Sequence, residues 1–178
     1  MREICELDLF GDRALLRRVL HLSVALLVAC VALLAALLLC GAAPERLSLA
    51  WLVACAAATA ASLVVHELVH GALFRLMGGP GTRVRFGARD GMLYAAAPDL
   101  VLRAGRFVVV ALGPTLLVDA AILVLGLAVL DAPVATCLVL AMHLSGCAGD
   151  LVFAHEVVRE RADFVQDSGA GIRLFAED

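Results

Sequence analysis

The fold is decided by residues 47–74, which read LSLAWLVACAAATAASLVVHELVHGALF. This run is longer than the roughly 20 residues that a helix needs to cross the hydrocarbon core of a membrane. The whole chain of 178 residues is 63% hydrophobic and 17% charged, with a mean hydropathy of +0.99. Soluble domains do not have this composition. The stretch therefore predicts a membrane-spanning helix, and the composition predicts an integral membrane protein.

Three further stretches are long and apolar enough to span a membrane, which gives predicted spans at 19–43, 47–74, 107–130 and 134–157. The connections around Pro44-Glu45-Arg46 and Asp131-Ala132-Pro133 are very short and predict helical hairpins. We therefore expect an all-α membrane protein of four transmembrane helices, forming a single domain over residues 1–178.

The long middle connection predicts a small β-hairpin at 82–97. Residues 83–86 alternate polar and apolar, Asp90-Gly91 is a strong turn signal, and residues 92–95 form a plausible return strand. A simple interfacial linker is the alternative. The tail, 158–178, resembles a second short hairpin, and residues 1–18 fit either a short strand or an interfacial segment.

The arginines predict the orientation of the chain in the membrane. All 14 basic residues are arginine, and 13 of them fall in the N-terminal segment, the middle connection and the tail, against Arg46 alone on the other side. Basic residues concentrate on the cytoplasmic side of membrane proteins. We therefore expect both termini and the hairpin at 82–97 to be cytoplasmic.

The segment His66-Glu67-Leu68-Val69-His70 indicates a metal site inside the second span. On an α-helix, residues four apart project only about 40° from each other, so both imidazoles can reach one ion while Glu67 stands beside them. Ionisable residues within a membrane are costly and usually functional. The HExxH pattern predicts zinc, with His66 and His70 as ligands and Glu67 as the catalytic base. Polar residues that only bond across helices are the competing interpretation.

A catalytic zinc takes three protein ligands, and depth in the membrane favours Asp150 as the third. His66 and His70 lie roughly 8–13 Å from the boundary at Arg75, and Asp150 lies roughly 13 Å from Arg159, at 1.5 Å per helical residue. Asp119 and His143 would lie deeper, at roughly 19 and 24 Å. We therefore predict Asp150 as the ligand, with Asp119 as the main rival.

The remaining polar residues of the spans have more than one interpretation. His143 shares a helix stripe with Asp150, so it fits a hydrogen-bonding neighbour of the site, a substrate-side group or a histidine bonded within the bundle. Asp119 follows Gly113-Pro114, where we expect a kink, and it could bond the backbone groups freed there. The five cysteines within the spans have no CxxC spacing and predict packing residues.

Taken together, these features resemble the integral-membrane zinc metalloproteases of the site-2 protease type, and more closely a family of small four-span proteins described as putative zincin peptidases. The resemblance rests on the order HELVH, a hairpin, Gly113-Pro114, the stretch His143-Leu-Ser-Gly-Cys-Ala-Gly-Asp150, and a tail near Asp167-Ser-Gly. It implies zinc held by His66, His70 and, by position, Asp150, with Glu67 activating water. The aspartate departs from the usual site-2 context, because Gly149-Asp150-Leu151 has no accompanying Asn-Pro pair.

The predicted function is an intramembrane zinc metalloprotease that cleaves a peptide bond in or next to a transmembrane segment. Glu67 would be the general base and zinc-bound water the nucleophile. The hairpin would bind an extended substrate by strand addition, through Val84, Phe86, Leu93 and Tyr94. The expected partners are a membrane-protein or peptide substrate and the lipid bilayer, and no nucleic acid. The alternatives are an inactive zinc-binding scaffold or regulator, and an ion or metal pathway lined by the same acidic and histidine residues.

Overall fold

The computed structural model describes residues 1–41, 48–89, 91–168 and 171–177. The predicted connection around Pro44-Glu45-Arg46, Asp90 of the predicted turn and Gly169-Ala170 of the tail lie outside the described residues.

Long apolar helices make up most of the molecule. They are α1 (Arg13–Leu39), α2 (Leu49–Gly78), α3 (Ala104–Leu123), which continues as π-helix over Val124–Val129, α4 (Pro133–Gly146) and α5 (Ala148–Arg159). The Asp12 side chain caps α1 by accepting from the Ala14 backbone N–H at 2.7 Å, and Ser48 caps α2 by accepting from Trp51 N–H. The protein is therefore mostly helical, as predicted.

Among the described residues, three helices are long and apolar enough to cross a membrane, namely α1, α2 and α3 with its π-helical extension. A fourth crossing is possible if α4 and α5 are counted as one span. These two helices are bent by 45° at Cys147, so the predicted span over 134–157 consists of two helices and not of one straight helix. In the third span α3 continues through Pro114, and the irregularity comes later, as the π-helix.

A four-stranded antiparallel sheet joins distant parts of the chain. Its strands are β1 (Arg2–Asp8), β4 (Val101–Arg103), β5 (Phe164–Asp167) and β6 (Gly171–Ala176), in the order β1-β6-β5-β4. The predicted tail hairpin is present as β5 and β6, and the N-terminal segment forms a strand. The sheet packs against the ends of α2, α3 and α5, through a core that includes Phe74, Phe107, Val157, Val165 and Leu174.

The predicted middle hairpin is present as β2 (Arg85–Arg89) and β3 (Met92–Ala96). Its register pairs Arg89 with Met92 next to the turn, and Gly91 has a φ of +81°, a conformation that glycine adopts without strain. The hairpin lies against α2. It therefore stands beside the helix that carries the HELVH segment.

Candidate metal centre

The two histidines of the HELVH segment face each other on α2. Both side chains are buried, and the Nε2 atoms of His66 and His70 lie 3.1 Å apart. One helical turn separates the two residues, so the helix itself sets this proximity. The pair therefore presents two ring nitrogens to a common point.

Asp150 supplies a third donor from another part of the chain. Its Oδ2 lies 3.1 Å from His66 Nε2, and its Oδ1 lies 3.3 Å from His70 Nε2. The residue is in the first turn of α5, immediately after the bend at Cys147. Gly146 lies just before the bend, where an added Cβ would contact Leu63 of α2 at 3.4 Å. Small residues thus let this part of the chain approach α2 closely.

The spacing of the three donor atoms fits a zinc ion. Zinc binds histidine nitrogen and carboxylate oxygen at roughly 2.0–2.1 Å in a tetrahedron, whose edges are then about 3.3–3.4 Å. The two histidine nitrogens are 3.1 Å apart, close to that edge length, and the two Asp150 oxygens each face one of them, Oδ2 at 3.1 Å from His66 and Oδ1 at 3.3 Å from His70. Two histidines and one carboxylate also leave a fourth position for water or substrate, as in catalytic zinc sites.

Glu67 lies beside the three donors and lines the same cavity. The side chain is half-buried, and its carboxylate lies near the backbone N–H of Ala95 in β3. The cavity has a volume of about 350 Å³ and is mainly apolar. Its walls come from α2, α3, the bend before α5, and the hairpin, and they include Leu63, Phe74, Leu93, Tyr94, Phe107 and Phe153.

One edge of the hairpin has backbone groups that point toward this cavity. Because Arg89 pairs with Met92 across a two-residue turn, alternate positions along β3 bond to β2, and Leu93 and Ala95 turn their backbone groups the other way. The contact of Ala95 N–H with Glu67 agrees with this alternation. Among the described strands, β3 is paired with β2 only.

The four residues predicted to contact substrate fall into two groups. Leu93 and Tyr94 line the cavity. Val84 and Phe86 instead lie against Gly71 of α2, where a Cβ would come within 2.4 Å of the Phe86 ring. Gly71 directly follows His70, so these two side chains pack the hairpin against α2 beside the metal centre.

Asp119 and His143 lie behind the metal centre. His143 Nε2 is 3.2 Å from His66 Nδ1, and His143 Nδ1 is 2.6 Å from Asp119 Oδ1. Asp119 is therefore hydrogen-bonded to His143 and does not belong to the group formed by His66, His70 and Asp150. Of the two aspartates predicted as candidates for the third ligand, Asp150 lies beside His66 and His70, and Asp119 lies beside His143.

Cys147 is a neighbour of the site that the sequence did not single out. Its Sγ lies 3.6 Å from His66 Nδ1, and His66, His143 and Cys147 form a second group of possible metal donors. The only available signal was its spacing, four residues after His143 and three before Asp150.

With this geometry established, the comparison with known families gives a family assignment. Residues 59–165 match the model of a protein family described as putative zincin peptidase. The chain belongs to this family. A search of curated proteins and a search of solved structures each returned no match.

The family match covers the HELVH segment, the hairpin, α3 and the bend that carries Asp150. Membership in a family described as putative zincin peptidase supports a metallopeptidase-like function and implies zinc as the cofactor. The more distant likeness to site-2 proteases has no support from these comparisons.

Proposed function

We propose that this protein hydrolyses a peptide bond in or next to a transmembrane segment of its substrate. The observation that carries the proposal is the convergence of His66, His70 and Asp150 within 3.1–3.3 Å, with Glu67 on the wall of the same cavity. His66, Glu67 and His70 belong to α2, which is long and apolar enough to cross a membrane, and Asp150 belongs to the bent α4–α5 pair, which passes the same test only as a pair. A peptide bond that reaches them has to enter from within or beside the bilayer.

The chain's own residues have distinct roles in the reaction. His66, His70 and Asp150 would hold zinc, which when bound polarises a carbonyl and lowers the pKa of water. Glu67 accepts the proton of the attacking water and passes it to the leaving amine. The N–H of Ala95 orients the Glu67 carboxylate.

The free edge of β3 suggests how substrate is held. A peptide in extended form would bond to the backbone groups of Leu93 and to the carbonyl oxygen of Ala95, and so extend the β2–β3 sheet. A transmembrane helix satisfies its own backbone hydrogen bonds and has none left for this edge. The substrate segment must therefore unwind locally before its peptide bond reaches Glu67.

Strand pairing supports four membrane crossings with both termini on one side. β1 precedes α1, β4 lies between α2 and α3, and β5 and β6 follow α5, yet all four share one sheet. If α1, α2 and α3 each cross once, β5 can pair with β4 only if the bent α4–α5 pair also crosses. The distribution of arginines favours the cytoplasmic side for this sheet and for the hairpin.

The test is a comparison of membrane proteomes from cells that express wild type or Glu67→Gln, with labelling of newly formed protein N-termini. The proposal predicts new N-termini within or beside transmembrane segments for wild type, their loss in Glu67→Gln, and equal zinc content in both proteins. Glu160→Gln, in a surface ion pair with Arg159, is the matched control and should cleave normally.

Zinc binding by both proteins with identical N-termini would contradict peptidase activity. That result would favour the scaffold alternative, in which the ligands are used without turnover.

A further inference from the structure

A chain of hydrogen-bonding groups leads from the metal centre into the bundle. His66 faces His70 and Asp150 with its Nε2 and faces His143 with its Nδ1, at 3.2 Å. His143 in turn places its Nδ1 at 2.6 Å from Asp119 Oδ1. His143 is completely buried, so both of its ring nitrogens need partners within the protein.

The proton positions along this chain follow from the role of His66. If His66 binds metal through Nε2, its proton is on Nδ1 and is donated to His143 Nε2. His143 Nε2 is then an acceptor, so the His143 proton is on Nδ1 and is donated to the Asp119 carboxylate. His66 Nδ1 and both ring nitrogens of His143 then each have a hydrogen-bond partner within the chain, and the Asp119 carboxylate lies at its far end.

We propose that His143 and Asp119 are positioning residues that fix the ring orientation and tautomer of His66. The proposal rests on the proposed function, because it takes His66 as a zinc ligand. Ligating histidines commonly donate their second N–H to a carboxylate, which raises their basicity toward the metal. Here a second histidine stands between the ligand and the carboxylate, and it joins α2 through α4 to α3.

Cys147 does not compete for this arrangement. Its Sγ lies 3.2 Å from the backbone carbonyl oxygen of His143, to which the thiol donates. Because the thiol proton points toward this carbonyl oxygen, the 3.6 Å contact between Cys147 Sγ and His66 Nδ1 is a packing contact. The hydrogen bond between the two histidines at 3.2 Å is the shorter one.

Two readings of the same contacts make different predictions. If Asp119 and His143 position His66, their replacement weakens zinc binding even where the apo-protein stays as stable as wild type. If the pair only ties α3 to α4, replacement lowers the unfolding temperature of the apo-protein and leaves the affinity for zinc unchanged.

The experiment measures the zinc dissociation constant of the purified full chain in detergent, by competition with a chromophoric chelator. Asp119→Asn keeps the shape of the side chain and removes its charge, and His143→Gln is the second variant should the first fail to fold. Ser145→Ala, two residues after His143 on α4, is the matched control, because the Ser145 hydroxyl donates to the Met142 carbonyl oxygen and does not touch the metal centre. Apo-protein unfolding temperatures and the visible spectrum of the Co²⁺-loaded protein are recorded for each variant.

We expect zinc affinity to fall about 10- to 100-fold in Asp119→Asn and His143→Gln, the range found for partners of metal ligands. Their Co²⁺ spectra should shift, and Ser145→Ala should bind zinc like wild type. Unchanged affinity in both variants overturns the proposal and leaves the proposed function intact. Zinc binding that is unchanged in His70→Ala overturns both this proposal and the proposed function, because the metal is then bound elsewhere.

Discussion

The contact between Gly71 and Phe86 provides a way to disturb the hairpin without touching the metal ligands. A Cβ added at Gly71 would lie 2.4 Å from Phe86 Cζ and 2.9 Å from its Cε1, so Gly71→Ala forces the ring to move. Phe86 is 49% exposed and has room to do so. Because the displaced ring no longer packs on α2, we expect the hairpin to be held less tightly against this helix, while the helix itself stays intact.

The effects of Gly71→Ala on stability should nearly cancel. Overpacking costs roughly 1–3 kcal/mol, and the exposed ring puts this site at the lower end. Alanine in place of glycine within a helix gains about 1 kcal/mol. Global stability should therefore change little, whereas a loss of about 1 kcal/mol in hairpin docking corresponds to roughly fivefold more frequent opening.

Hydrogen exchange of the β2 and β3 amides measures this opening, and the rate at which wild-type cleavage products form measures its consequence. We expect faster exchange and slower cleavage in Gly71→Ala, and partial recovery of both when Phe86→Leu is added. Gly105→Ala is the control, since its Cβ meets nothing within 4 Å. Exchange and cleavage equal to wild type in Gly71→Ala would refute the reasoning that this contact holds β3 over the site.

Two further predictions concern the framework of the molecule. Glu156 is buried and pairs with Arg18 of α1 at 2.5 Å and with Arg159 at 3.2 Å. Glu156→Gln should therefore destabilise the protein by about 2 kcal/mol. This loss is smaller than that for a fully buried pair because both arginines are half-exposed. Thermal unfolding should detect this loss and find less than about 1 kcal/mol for Glu160→Gln, whose ion pair lies at the surface. A Cβ at Gly171 would lie 1.8 Å from the backbone oxygen of Leu7, so Gly171→Ala should separate β1 from β6 and cost about 3 kcal/mol, with rapid hydrogen exchange confined to β1. Normal protection of β1 in that variant would show that this strand pairing is not as described.

The local features of the chain were predictable because their physical causes are local. The span over 47–74 follows from its apolar length, the hairpin from Asp90-Gly91 between alternating segments, and the histidine pair from helical spacing. The proximity of Asp150 to the two histidines could be predicted on the assumption that α2 and the fourth span enter the membrane from the same side, which places their residues at equal depth. That reasoning needed only the rise of a helix per residue.

The remaining features depend on contacts between distant segments. Nothing near Arg2–Asp8 or Val101–Arg103 indicates that these strands share a sheet with the tail, since their partners are far away in sequence. The bend at Cys147 has no proline to signal it. The sequence left three interpretations of His143 open, because its contacts depend on His66 and Asp119 approaching it from two other helices.

X-ray absorption at the zinc edge of the purified protein tests the central claim most directly, because it reports the atoms around the metal. The described site predicts only nitrogen and oxygen neighbours at about 2.0–2.2 Å, with the outer-shell signature of two imidazoles, and the loss of this pattern in Asp150→Ala. A sulfur neighbour at about 2.3 Å would contradict it. That result would move the metal to His66, His143 and Cys147, the second group of donors.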